Sequence, residues 1–159
     1  MKFSISRIIT FLLVFLFLAS QVLAQGWVRQ NSQTTMDLKG VKFVNALNGT
    51  VVGDGGTILH TTDGGITWIK QNSKGVVQLF DVDFCDESHG LIVGDYNILR
   101  TTNAGEEWVK VKEGSDFLYA VAYVKPKVAI VVGEGGTILR TTDDGITWNL
   151  QESTTIWAL

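Results

Sequence analysis

Beyond residue 24, the side chains best suited to chemistry are the paired aspartates Asp81 and Asp83, the arginines Arg29, Arg100 and Arg140, and the tyrosines Tyr119 and Tyr123. Two carboxylates at a fixed separation could act as acid and base on a glycosidic bond. Converging arginines could hold a substrate carboxylate by paired N–H···O contacts. The spacing argues against both. Arg100 and Arg140 stand 40 residues apart in "ILRTT" and "ILRTT", and His60 holds the same place in "ILHTT". Side chains at equivalent points of a repeat sit on separate units at one radius, so they fan out and do not converge. Asp81 and Asp83 alternate along one short segment and have alanines, Ala120 and Ala122, as counterparts in the next unit. One strand supplies neither a cleft nor the separation a catalytic pair needs. His89 precedes the Gly90 turn, and neither histidine has a companion at metal-ligand spacing. The sequence therefore predicts no enzyme, no metal and no cofactor. What remains is a repeat-spaced row, His60, Arg100 and Arg140, expected to emerge on one face as a dock for an acidic or C-terminal peptide. The competing expectation is that each arginine neutralises a carboxylate of its own unit, Asp95 or Glu134.

The elements that must carry these residues follow from a triple repeat. "TTDGGITW" (Thr61 to Trp68) returns as "TTNAGEEW" (Thr101 to Trp108) and "TTDDGITW" (Thr141 to Trp148). Each copy is preceded by an alternating segment (Leu38 to Val44, Leu79 to Cys85, Leu118 to Val124), a short apolar run halted by glycine, and an "ILxTT" segment. The period of two and the glycine stops read as strands. Four strands per unit of about 40 residues make an all-β, β-propeller-type repeat of four-stranded antiparallel blades. Three complete blades are expected at about 38–73, 79–113 and 118–151. The octapeptide is the hairpin between the third and fourth strands of each blade. Asp63 and Asp143 accept backbone N–H groups inside that turn, with Asn103 as their substitute. Gly65, Gly105 and Gly145 supply positive φ. Thr61, Thr101 and Thr141 open each turn, and Thr67 and Thr147 lead into the next strand. Trp68, Trp108 and Trp148 pack between sheets. Glu107 stands where the other copies have threonine, so the middle turn is expected to be the least well satisfied.

The pattern [ST]-x-[DN]-x-G-x-[ST]-W resembles the Asp-box, or bacterial neuraminidase repeat. The longer string "VVGDGGTILHTTDGGITW", nearly restated as "VVGEGGTILRTTDDGITW", is similar to the repeat of the photosystem II stability and assembly factor family of propellers, which also occurs in exported bacterial proteins. The resemblance implies a non-enzymatic scaffold for protein or peptide binding. Sialidases share the Asp-box, so the alternative is a fragment of a sialidase-like or other glycan-processing enzyme, or a glycan-binding surface protein. Against it, the arginine-containing N-terminal motif of sialidases is absent, and the tryptophans are better placed for packing than as sugar platforms.

Export and ring closure complete the expectations. Lys2 and Arg7, an apolar run from Ile8 to Ala19, and Val22 and Ala24 read as a secretory signal over residues 1–24, cut before Gln25. The remainder, 25–159, is a partial propeller expected in the periplasm, at the cell surface or in the medium, with no membrane insertion once the signal is removed. Removing Lys2 and Arg7 leaves 11 basic against 16 acidic residues, with no basic cluster, which argues against nucleic acid. Cys85 is the single cysteine, so no intrachain disulfide can form. "GWVRQNS" (26–32) reads as an orphan outer strand and 154–159 as the start of a further blade. The ring is therefore expected to be incomplete on this chain, a fragment or truncated reading frame explaining both orphans and self-association through open sheet edges being the alternative.

Overall fold

The computed structural model describes residue 26 and residues 28–152. The signal segment and 154–159 lie outside the described residues, as do Gln25, Trp27 and Ser153. Val28 to Ser32 pair with no strand among the described residues.

Three four-stranded antiparallel sheets follow one another along the chain. Blade 1 comprises β1 (Leu38–Phe43), β2 (Gly49–Gly53), β3 (Thr57–Thr61) and β4 (Ile69–Lys70). Blade 2 comprises β5 (Asp81–Phe84), β6 (Gly90–Gly94), β7 (Asn97–Thr101) and β8 (Val109–Glu113). Blade 3 comprises β9 (Leu118–Lys125), β10 (Val128–Gly133), β11 (Ile138–Thr141) and β12 (Asn149–Leu150), with a single 3-10 turn at Glu134–Gly136. In each sheet the strands lie side by side in chain order, as consecutive hairpins require. No sheet closes on itself, and the propeller class read from the repeat is the fold observed.

The second strands of blades 1 and 2 are apolar runs because both of their faces are covered. All five residues of β2 and all five of β6 are buried. The glycine ending each run is required by crowding. A Cβ on Gly94 would lie 2.0 Å from the Gln78 carbonyl oxygen, and one on Gly53 2.1 Å from that of Asp37.

The core lies between blades. Val52 and Ile58 of blade 1 meet Val82, Phe84, Ile92, Leu99 and Trp108 of blade 2 in one cluster. Leu91, Val93 and Ile98, on the opposite face of blade 2, meet Val121, Ala129, Val131 and Leu139 of blade 3 in the other. Alternation along each strand thus divides a sheet into a rear face toward the preceding blade and a forward face toward the following one. Trp108 shows what the fourth-strand tryptophan does in a filled seam. It is 1% exposed, stands edge-on to Phe84 and donates Nε1–H to Gln71 Oε1 of blade 1 at 3.0 Å. Trp68 is only half-buried, at a rear face with no preceding blade among the described residues.

Candidate functional site

The Asp-box turns are built from local bonds. In the first, Asp63 Oδ1 accepts the Thr61 hydroxyl at 2.8 Å and the Thr67 amide at 2.9 Å, while Oδ2 accepts the Thr67 hydroxyl at 2.6 Å. Asp143 repeats the same three contacts with Thr141 and Thr147. These bonds, led by the Thr67 and Thr147 hydroxyls, favour the ionised carboxylate and lower Asp63 and Asp143 to about 2. Asn103 keeps the Thr101 and Glu107 contacts but, with Glu107 in the threonine position, has no hydroxyl to accept. Gly105 sits at φ +85, and its backbone lies close under the Trp108 ring. The box carboxylates of Asp63 and Asp143 are thus engaged within their own hairpins.

Asp81 and Asp83 face the next blade. Asp81 Oδ2 accepts the Val121 amide at 3.0 Å and Asp83 Oδ2 the Tyr123 amide at 2.7 Å, while Lys42 pairs with Asp83 Oδ1 at 2.7 Å. The two carboxylates cap N–H groups of β9 that no strand pairs with. They are an inter-blade clamp, and the remaining oxygen, Asp81 Oδ1, accepts the amide of Val82 in its own strand.

The row of His60, Arg100 and Arg140 keeps its spacing, but His60 and Arg100 turn into the seams instead of emerging with Arg140 as an arc on one face. The reason is strand alternation, which gives this position to the forward face of each blade. Arg100 reaches across to Asp144, the residue after the box aspartate of blade 3. Nε donates to the Asp144 carbonyl at 2.5 Å and to Oδ2 at 3.1 Å, and Nη2 pairs with Oδ2. Tyr123 donates its hydroxyl to Asp144 Oδ1 at 2.7 Å. Arg100's carboxylate is therefore on the following blade and is not Asp95, whose Oδ2 accepts the Val77 and Gln78 amides. Burial and the bond to Asp144 hold the Tyr123 phenol far above its ordinary value, so it stays protonated and is no nucleophile. His60 faces Ala104 and Phe84 across a small cavity and bonds Thr50 at 3.3 Å. Burial lowers its pKa, so it is neutral near pH 7 and a poor anion receptor. Arg140 has no carboxylate partner among the described residues. Glu134 has no ion pair with it.

A feature that the sequence reading passed over lies at the opposite end of the blades from the Asp-boxes. Phe80, Tyr96, Phe117 and Tyr119 form one continuous aromatic patch across the seam of blades 2 and 3. Tyr96 lies 4.7 Å from Phe117, and Phe80 stands edge-on to Phe117 and Tyr119 at 6.4 and 5.6 Å. Lys39 places Nζ 4.6 Å from the Phe80 centroid. Tyr96 is 39% and Tyr119 48% exposed. A groove of about 220 Å³ adjoins Tyr96, floored by Leu118 and Leu139 and rimmed by Lys112, Asp116 and Leu150. The available signal was the repeat itself, since Lys39, Phe80 and Tyr119 occupy one position in successive units. Cys85 is half-buried, and burial raises its thiol, which removes it as a nucleophile at neutral pH. Among the described residues, no three His, Cys, Asp or Glu side chains are grouped to hold a metal ion.

Comparison with known proteins gives the geometry a context. The family described as photosynthesis system II assembly factor YCF48 matches residues 19–115 and 74–152. A solved structure of YCF48 bound to D1 peptide is 26% identical, with a TM-score of 0.65 over 81% of this chain and 47% of that one. YCF48 from Cyanidioschyzon merolae is 24% identical, with a TM-score of 0.70 over 79% of this chain and 43% of that one. An ancestral GH74 enzyme shares the fold at 13% identity, with a TM-score of 0.66 over 80% of this chain and 19% of its own. The chain thus spans less than half the length of either YCF48 structure. No curated protein sequence matches it.

Proposed function

The chain belongs to the photosynthesis system II assembly factor YCF48 family, and from that premise we propose that it is an exported, non-enzymatic scaffold that binds a protein or peptide. The observation that carries this reading is the aromatic patch of Phe80, Tyr96, Phe117 and Tyr119 beside its groove. Exposed tyrosines with an apolar body and a hydroxyl tip are the side chains that anchor protein interfaces. A peptide laid along the groove buries its apolar side chains against these rings, while Lys112 and Asp116 offer charge of both signs at the rim. The YCF48 relative bound to D1 peptide supports a peptide as the ligand class. The absence of catalysis is supported by how the candidate groups are used. Asp81 and Asp83 accept backbone amides, Arg100 and Asp144 neutralise one another, and Tyr123 holds its proton. The basic, apolar and small-residue order of residues 1–24 supports export.

The test is equilibrium binding to a displayed library of random peptides, with the D1 peptide of the YCF48 complex included. The wild-type chain is expected to enrich a recurrent peptide class. Tyr96→Ala with Tyr119→Ala should weaken its capture at least about tenfold, with thermal stability little changed because both rings are exposed. Enriched peptides that bind the double variant equally would remove the patch from the reading. Turnover of an oligosaccharide by the wild-type chain would replace a scaffold with an enzyme.

A further inference from the structure

The three blades share a strand plan but not the tips of their hairpins, and the aromatic patch lies where they differ. The turns after β2 and β10 read "GDGGT" (53–57) and "GEGGT" (133–137). The turn after β6 is shorter, "GDYN" (94–97), and puts Tyr96 where the others have glycine. Asp95 adopts φ +42 in that turn, and its carboxylate accepts the Val77 and Gln78 amides, which ties the turn to the preceding linker. The seam of blades 1 and 2 offers Gly55, Gln78, Phe80 and Lys39 where that of blades 2 and 3 has Tyr96, Phe117, Tyr119 and Phe80. Packing one blade on the next does not require these rings, since the first seam is filled without them. They are an addition to the repeat, flanked by a blade on either side.

The ridge they form is rich in hydrogen-bond donors and poor in free acceptors. Tyr96 and Tyr119 are exposed, and neither hydroxyl bonds another group among the described residues. Lys112, at the rim of the adjoining groove, has no ion pair among the described residues. The nearby carboxylates are committed. Asp116 accepts the Ser115 hydroxyl on Oδ1 at 3.0 Å and the Thr137 hydroxyl on Oδ2 at 2.8 Å, and Asp54 pairs with Lys39. The uncommitted charge beside the rings is therefore positive. A sugar, or an ordinary extended peptide, would press hydroxyl or N–H donors against the rings, and each left without an acceptor is costly. Proline brings no N–H. A polyproline II segment makes no internal hydrogen bonds, so its carbonyls are free to accept, and aromatic-lined grooves take up its preformed backbone at low entropic cost. Resting on the reading of this patch as a peptide site, we propose that the ridge binds proline-rich segments in the polyproline II conformation that carry an acidic side chain beside the prolines. The rings pack the prolines, the Tyr96 and Tyr119 hydroxyls donate to peptide carbonyls, and Lys112 pairs with the carboxylate.

Selection from the random-peptide library reads the class directly. Peptides enriched on the wild-type chain are expected to carry two or more prolines, with Asp or Glu within about three residues, one polyproline II turn. Synthetic copies are then measured by fluorescence anisotropy. A copy with its prolines changed to alanine should bind about tenfold or more weakly, because it regains N–H donors and loses its preformed backbone. Tyr96→Phe with Tyr119→Phe keeps the rings and removes the hydroxyls, and should weaken binding about threefold or more. Lys112→Gln should weaken it further and flatten its salt dependence. Enriched peptides without proline that are lost on Tyr96→Ala with Tyr119→Ala would overturn the proline class and leave the patch a peptide site. Proline peptides bound equally by that variant, or no enrichment at all, would remove the patch reading and this inference with it. Equal affinity for the alanine copy, or an oligosaccharide held through the two tyrosine hydroxyls, would also overturn the proposal.

Discussion

Replacing Arg100 by glutamine removes the cation that neutralises Asp144 inside a seam. The two side chains are 21% and 9% exposed, so water can reach the guanidinium but hardly the carboxylate. Breaking a buried pair from one side costs about 3–5 kcal/mol, because the surviving charge is left unmatched. The Tyr123 hydroxyl stays on Asp144 Oδ1 at 2.7 Å, which puts the expected loss at the low end, about 3 kcal/mol. Asp144→Asn tests the other side without disturbing the turn, since asparagine tolerates the φ of +64 found there. It should cost about 2 kcal/mol, because an amide replaces the anion facing Arg100. In the double variant two neutral groups can share a hydrogen bond, so its loss should fall short of the sum by about 1.5 kcal/mol or more. Urea unfolding of the four chains measures this, with tryptophan fluorescence and circular dichroism required to superimpose, since repeat arrays can unfold in steps. Arg140→Gln is the internal control. It alters the same repeat position, which has no carboxylate partner among the described residues, and should stay within about 0.5 kcal/mol of the wild type. Additive losses from Arg100 and Asp144, or equal losses from Arg100 and Arg140, would refute the stabilising role of the pair.

Three further outcomes follow from the same contacts. Asp63 and Asp143 are held at about 2, below the ordinary 3.8, so their contribution is present above about pH 4 and is lost as the pH falls toward 2. Asp63→Ala with Asp143→Ala should flatten that part of a melting-temperature against pH curve, and an unchanged slope would deny the turn bonds their role. Tyr123→Phe should lower stability by about 1 kcal/mol through the lost bond to Asp144; no sialoside or glycoside hydrolysis should be detectable before or after the change. N-terminal sequencing of the exported protein should begin at Gln25, and recovery of Met1 on membranes would replace cleavage with anchoring.

The hairpins were legible in the sequence because each is made by residues within four places of one another. Asp63 meets Thr61 and Thr67, and the motif contains all three. The four strands were legible for a related reason, since alternation and glycine stops are local consequences of burial. The direction of Arg100 was not. Its partner lies 44 residues away on another sheet, and only the packing of one blade on the next brings them together. Asp81 and Asp83 were rejected as a catalytic pair on spacing, but their actual work, capping Val121 and Tyr123, depends on how close β9 runs to β5. The aromatic patch was harder still, because Tyr96 and Phe117 come from turns with no counterpart in the motif.

One signal for the Arg100–Asp144 pair was nonetheless present within the chain. The residue before each Asp-box and the residue after the next box's aspartate or asparagine change together: His60 faces Ala104, whereas Arg100 faces Asp144. A repeat whose units were interchangeable would have no reason to vary these positions in step. Here the variation tracks the seam, so that arginine is matched by a carboxylate and neutral histidine by alanine. The equivalence of the blades is therefore a property of their backbones and turns, while the seams are individually keyed.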